Sequence, residues 1–328
     1  MVKAFLIGAG ATRAQYFRES HRAPLSVDFF ELLAMRNRQL FRDIEKAIRP
    51  YINETLQDSN IEEVMTLSQK FPQSTNTSFQ ESLYQAIYEL LAEPTESNES
   101  DINRYIRGNI GRGPTNFKIL LNDPRLKEKD FFMTLNYDLY LDREVLTIQG
   151  SIDYGIDIRI INKDDMINRN YEIRFPRESI FSIYHLHGSL NWELLTNGTI
   201  HIKKGPVQPR HTRIGSNICL IPPGIKELTP VLQSIWKIAE QRLLLADELI
   251  IIGCSLNPED KQLIELIKKF VKKHGANSVK IIYKSENTDS KLLDNYCDIV
   301  GKGFKNYPYG FDINGPGDKP GAIEFIFS

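Results

Sequence analysis

Short apolar runs alternate along the chain with longer stretches in which apolar residues recur every three or four positions. Residues 2–7 are apolar except for Lys3 and end in Gly8-Ala9-Gly10-Ala11-Thr12. That is the pattern of a buried strand running into a glycine-rich turn. Residues 131–135, 180–184, 218–221, 249–252, 279–283 and 323–327 are further strand candidates, and 148–161, around Gly150 and Gly155, reads as a strand and loop. The helical spacing is clearest over 28–48, where Phe29, Leu32, Leu33, Leu40, Phe41, Ile44 and Ile48 share a face. Ser59 with Glu62, and Ser78 with Glu81, have the spacing of capping boxes, so 28–92 reads as helical. Further helices are expected over 12–18, over 231–246 (Ile235, Trp236, Ala239, Leu243) and over 258–273 (Leu263, Ile264, Ile267, Val271), the last with Pro258 in its first turn.

Helix, strand, polar turn, helix, strand is the rhythm of a parallel α/β sheet. The expected fold is therefore a Rossmann-like parallel sheet with a helical insertion lobe. The lobe is placed at 28–116, a smaller insertion at 140–215, and the whole chain, 1–328, is read as one domain. Gly108, Gly111, Gly113 and Pro114 mark an irregular stretch in which Arg107 and Arg112 face solvent or phosphate.

Composition narrows the class. Lys and Arg number 41 and Asp and Glu 42, a net charge of −1, which gives no chain-wide surface for nucleic acid. The cysteines are Cys219, Cys254 and Cys297, with no paired spacing. A disulfide scaffold and a four-cysteine zinc site are both disfavoured. No apolar run reaches the roughly 18 residues that span a bilayer. A soluble, cytoplasmic protein without membrane or nucleic-acid partners is expected.

Four strand candidates end in small or polar residues: at Gly8–Thr12, at Thr134-Leu135-Asn136-Tyr137-Asp138, at His185-Leu186-His187-Gly188, and at Gly253-Cys254-Ser255-Leu256-Asn257. Ligands of open α/β sheets collect beyond the carboxyl ends of the strands. These residues, in this order, resemble the SIR2-like branch of the sirtuin superfamily, in particular its zinc-less bacterial NAD-consuming members. The first glycine turn resembles the phosphate-binding opening. The stretch at 134–138 resembles the threonine–any–asparagine–hydrophobic–aspartate motif. His187-Gly188 resembles the pair carrying the catalytic imidazole, and Gly253-Cys254-Ser255 the late turn near the dinucleotide. The chain departs from the protein deacylases: it lacks two cysteine pairs, the glycine–isoleucine–proline–aspartate–phenylalanine–arginine stretch and the peptide clamp.

The resemblance implies NAD+ as substrate, no metal, and hydrolysis to nicotinamide and ADP-ribose in bacterial anti-phage defence. It also implies a homo-oligomer and a separate ATPase or trigger protein; constant NAD destruction would be toxic, so low basal activity relieved by assembly or a trigger is expected. Asn136 and His187 are the catalytic candidates, and Gly8, Ala9, Gly10, Thr12, Asp138, Gly253, Ser255 and Asn257 the dinucleotide-binding ones. Asn136 can donate one hydrogen bond and accept another, fixing a ribose hydroxyl and the attacking water. His187 is read as general base or as a packed turn histidine, with His185 as its backup on the same face of an extended chain. Asn257 contacts adenosine or caps the helix at Pro258. Two other readings stand beside hydrolysis: a non-catalytic NAD or ADP-ribose binding module, and an NAD-dependent protein deacylase.

Overall fold

A computed structural model describes residues 1–15, 23–52, 55–68, 73–96, 115–149, 152–155, 181–195, 200–203, 206–209, 211–212, 215–216, 218–220, 228–285, 290–312, 315–316 and 320–328. The chain opens with β1 (Lys3–Ile7) and α1 (Ala9–Arg13), followed by the helices α2 (Phe29–Arg36), α3 (Arg38–Ile48), α4 (Ile61–Ser68), α5 (Gln73–Glu96) and α6 (Asn116–Asn122). It returns through β2 (Phe131–Thr134), α7 (Tyr140–Gln149) and β3 (Ser182–His185). The short strands β4 (Gly188–Leu194), β5 (Ile200–Ile202), β6 (His211–Thr212), β7 (Gly215–Ser216) and β8 (Ile218–Leu220) come next. Then follow α8 (Pro230–Leu245), β9 (Glu248–Ile252), α9 (Lys261–His274), β10 (Val279–Ile282), α10 (Ser290–Val300), β11 (Lys305–Tyr307) and α11 (Ala322–Phe327).

Six strands form one all-parallel sheet in the order β11-β10-β9-β1-β2-β3. Helices flank it, and the result is the expected Rossmann-like α/β core. The chain runs outward from β1 in one direction through β2 and β3, then restarts beside β1 at β9 and runs outward the other way. The reversal falls between β1 and β9, which is where such sheets place their ligands. Ala4–Ile7 and Leu249–Ile252 are at most 1% exposed, which explains why these strands read as continuous apolar runs: both faces are covered.

Two cores share the molecule. The larger packs the sheet between its helices. The smaller joins α2–α5 to Leu190, Val207 and Leu220, so the helical lobe sits on the antiparallel sheet β5-β4-β8.

Several element boundaries differ from the sequence reading, mostly at helix starts. The helix expected over 12–18 starts at Ala9 and spans only Ala9–Arg13. The helical stretch at 28–48 breaks at Asn37, whose side chain accepts from Leu40 N and restarts the helix as α3. Asn60, not Ser59, caps α4: its Oδ1 accepts from Glu62 N, while the Ser59 hydroxyl donates to Thr55 O. Ser78 and Glu81 lie inside α5 and begin no helix. Ile148 is in α7, and Asp153 makes an isolated bridge to Ser182. The apolar run at 323–327 is helical, with Ile323 and Ile326 buried and Glu324 exposed, because a short run carries no clear period. Among the described residues no helix is long and apolar enough to cross a membrane. Residues 16–18 of the helix expected over 12–18, Arg107, Arg112 and residues 156–161 fall outside the described residues.

Candidate functional site

The carboxyl ends of β9, β1, β2 and β3 are neighbours on one edge of the sheet. The four motifs that follow them are thereby gathered together.

The glycines at the reversal are set first by each other. Gly8 N donates to Ile252 O and Gly10 N to Gly253 O, both at 2.9 Å. Gly253 has φ +61, and a Cβ there would lie 2.1 Å from Ala11 N. A Cβ on Gly8 would lie 2.5 Å from Gly253 O. Two turns, one after β1 and one after β9, thus touch backbone to backbone. Leu256, fully buried, adopts φ +50 in the same late turn. Ser255 is exposed and Cys254 buried, its thiol pushed up to about 12 by burial.

The stretch after β2 is a chain of hydrogen bonds. Asn136 Nδ2 donates to Gly8 O at 3.1 Å and to Thr12 Oγ1 at 2.9 Å. Thr12 Oγ1 donates to Asp138 Oδ2 at 3.0 Å. Both amide hydrogens of Asn136 are therefore spent within the protein, and its orientation is fixed because Gly8 O only accepts. The dual role expected of Asn136, donor and acceptor, is corrected on that account: Oδ1 alone is left, as an acceptor. Asp138 also accepts from Tyr140 N. Burial pushes its carboxyl up to about 6, against the pull of the Tyr140 and Thr12 hydrogen bonds.

The two histidines after β3 have different partners. His185 is fully buried, with Nε2 3.0 Å from Asp142 Oδ1 and Nδ1 3.3 Å from Asn136 O. Both partners accept, so both ring nitrogens carry hydrogen. Burial opposes that charge, but the Asp142 carboxylate beside it leaves the imidazole above its ordinary value. Tyr154 donates to the same Asp142 oxygen at 2.8 Å. His185 is thus committed to holding Asn136 and has no ring nitrogen to offer.

His187 Nε2 lies 3.0 Å from Asp260 Oδ2, both side chains being 7% exposed. The indole of Trp236 lies alongside, at 6.3 Å between centroids, and donates to Leu186 O, pinning the turn. Gly188 has φ +83, and a Cβ there would fall 1.9 Å from Cys219 O.

Asp260 and Glu62 are the residues the sequence reading missed. Asp260 caps α9 through Oδ1, which accepts from Leu263 N at 3.2 Å. The helix starts at Lys261, and Pro258 lies in the turn before it. An acid three residues ahead of Leu263 was the available signal. Asn257 closes that turn, accepting from Glu259 N, and so does not cap the helix. Its Nδ2 donates to Glu62 of α4, which carries the helical lobe to the late turn. Burial raises the Glu62 carboxyl, while the Asn257 bond and the nearby His187 oppose the rise and Asp260 and Glu63 add to it. Among the described residues no three His, Cys, Asp or Glu side chains are grouped to hold a metal ion.

No family model and no curated protein matches the chain. Solved structures do. A Sir2 homologue in complex with NAD aligns over 94% of this chain and 84% of its own, at 14% identity and TM-score 0.47. The chain is similar to Sir2 structures. A mutant Sir2 homologue with ADP-ribose (12% identity, 92% and 89% covered, TM-score 0.43) and Sir2 bound to an acetylated peptide (13%, 99% and 90%, 0.43) also align. The likeness to Sir2 is distant and assigns no role to any residue here.

Proposed function

We propose that this chain is an NAD-consuming enzyme that hydrolyses the bond between nicotinamide and ribose. The observation that carries the reading is that the hydrogen-bonded Thr12, Asn136 and Asp138 follow β1 and β2, and His187 follows the adjacent β3, all at the carboxyl edge of a parallel sheet beside the point where its strand order reverses. The touching turns at Gly8–Gly10 and Gly253 lie at that edge, and the reading places the pyrophosphate beside them, with Ala9, Ser255 and Asn257.

In the reaction the C1′–N bond breaks and its electron pair leaves with neutral nicotinamide. Positive charge grows on the ribose. Water adds at C1′ and gives up a proton, so that NAD+ and water become nicotinamide, ADP-ribose and one proton. Asn136 Oδ1 accepts from the water or a ribose hydroxyl and holds it in line. His187 takes the proton, a contribution of typically about 10²- to 10⁴-fold. The proposal includes the setting that the sequence resemblance implies: a cytoplasmic homo-oligomer that depletes NAD in anti-phage defence when a separate trigger or ATPase releases it.

The rival chemistry is NAD-dependent deacylation; the similar structures include a Sir2 bound to an acetylated peptide and one in complex with 2'-O-acetyl-ADP-ribose and a deacetylated peptide. One experiment separates them. NAD is supplied with and without an acetylated peptide, and nicotinamide, ADP-ribose and acetyl-ADP-ribose are measured separately. Hydrolysis predicts equal nicotinamide and ADP-ribose without peptide, reduced at least about 100-fold in Asn136→Ala and His187→Ala. Turnover that needs peptide and yields acetyl-ADP-ribose establishes the deacylase. NAD binding with no turnover in any oligomeric state favours a binding module or an enzyme still missing its trigger.

A further inference from the structure

Granted that reading of the site, we propose that Asp260 is the positioning residue of His187. It holds the imidazole with hydrogen on Nε2, so that Nδ1 is the nitrogen turned to the substrate.

The carboxylate is aimed by the backbone around it. One oxygen is tied to Leu263 N at the start of α9, and the Asp260 amide donates to Asn257 O at 3.0 Å. The second oxygen, held between those ties, is the one 3.0 Å from His187 Nε2. The histidine is held from its own side by the turn at Gly188 and by Trp236 of α8, which bonds the carbonyl just before it. Asp260 cannot swing away without breaking its helix cap, and the backbone that carries His187 is fixed by the strand connection.

The chemistry follows from donor capacity. A carboxylate only accepts, so the nitrogen facing it carries the hydrogen. A neutral imidazole has one such hydrogen, which leaves Nδ1 with its lone pair. When Nδ1 takes the proton from water, the imidazolium formed has a negative partner already in contact. The other histidine–aspartate pair of this edge, His185 with Asp142, cannot do this. Its second nitrogen is occupied by Asn136 O.

The test uses the full chain with ¹⁵N-labelled histidine, and His187→Gln to assign the signal. Wild type is expected to show the Nε2–H tautomer. Asp260→Asn keeps an oxygen for Leu263 N but turns an amide donor toward His187, and the tautomer is expected to switch to Nδ1–H. In the same variant kcat for NAD is expected to fall at least about 100-fold with KM within about threefold, since the group acts through His187 rather than on the ligand. Asp260→Ser retains a helix cap without the carboxylate and is expected to lose kcat equally. An unchanged tautomer in Asp260→Asn overturns the contact, and unchanged kcat in both variants overturns the role. The tautomer comparison decides the contact whether or not the wild type turns over NAD, so its failure is distinguishable from failure of the hydrolase reading.

Discussion

At the residue scale, the site is built from side chains whose options have been removed. Asn136 has no free hydrogen, His185 no free nitrogen, and Gly188 no room for a methyl group. Gly188→Ala would drive a Cβ into a backbone carbonyl at a left-handed φ. We expect it to cost more than about 3 kcal/mol, seen as a lower urea midpoint, and to lower NAD turnover by moving His187. A smaller loss than that of an ordinary surface variant would show that β8 can yield. Asp138 sets a pH dependence. Its carboxyl titrates near 3.8 when unfolded and at about 6 in the fold, so the folded chain binds the extra proton between those values. The stability it contributes is complete below about pH 4 and is lost as pH rises through about 6. The difference is about 3 kcal/mol. Urea unfolding of wild type and Asp138→Asn between pH 4 and 7 checks this. The variant's stability is expected to gain on wild type by about that amount across the range, and a constant difference would refute the assignment.

At the element scale, caps decide where helices start. Asn37 ends α2 and begins α3, accepting from Leu40 N at 3.0 Å and donating to Glu89 of α5 at 2.6 Å. Asn37→Ala is expected to lower stability by about 1 to 2 kcal/mol, measured by denaturant titration at an unchanged m-value. The central strands were legible in the sequence because each is a four- or five-residue apolar run stopped by a glycine or polar turn, and all four motif-bearing strand ends are adjacent as expected. Helix starts were not. Ser59 and Pro258 had the right spacing, but Asn60 and Asp260 took the cap, a choice settled by which side chain reaches an amide. Misplacing the start of α9 hid Asp260 inside the helix and away from His187. Glu62 was out of reach for another reason: its partner Asn257 is 195 positions away, and nothing local in the helix marks that meeting.

At the scale of the whole molecule, two cores share one chain. The sheet core includes strands covered on both faces, whereas α2–α5 rest on a thin antiparallel sheet and a few polar ties such as Glu62–Asn257. Amides of α2 and α3 are therefore expected to exchange with deuterium at lower opening free energy than those of β1 and β9. Equal protection throughout would show that lobe and sheet open as one. The pairing of Lys3 with Glu248 has a consequence for the chain's birth. The partners are 245 positions apart, so β1 leaves the ribosome about 12 to 50 s before its second neighbour exists. For that interval a central strand of the finished sheet presents an open, apolar edge, and the nascent protein has to be shielded from its own siblings until translation reaches β9.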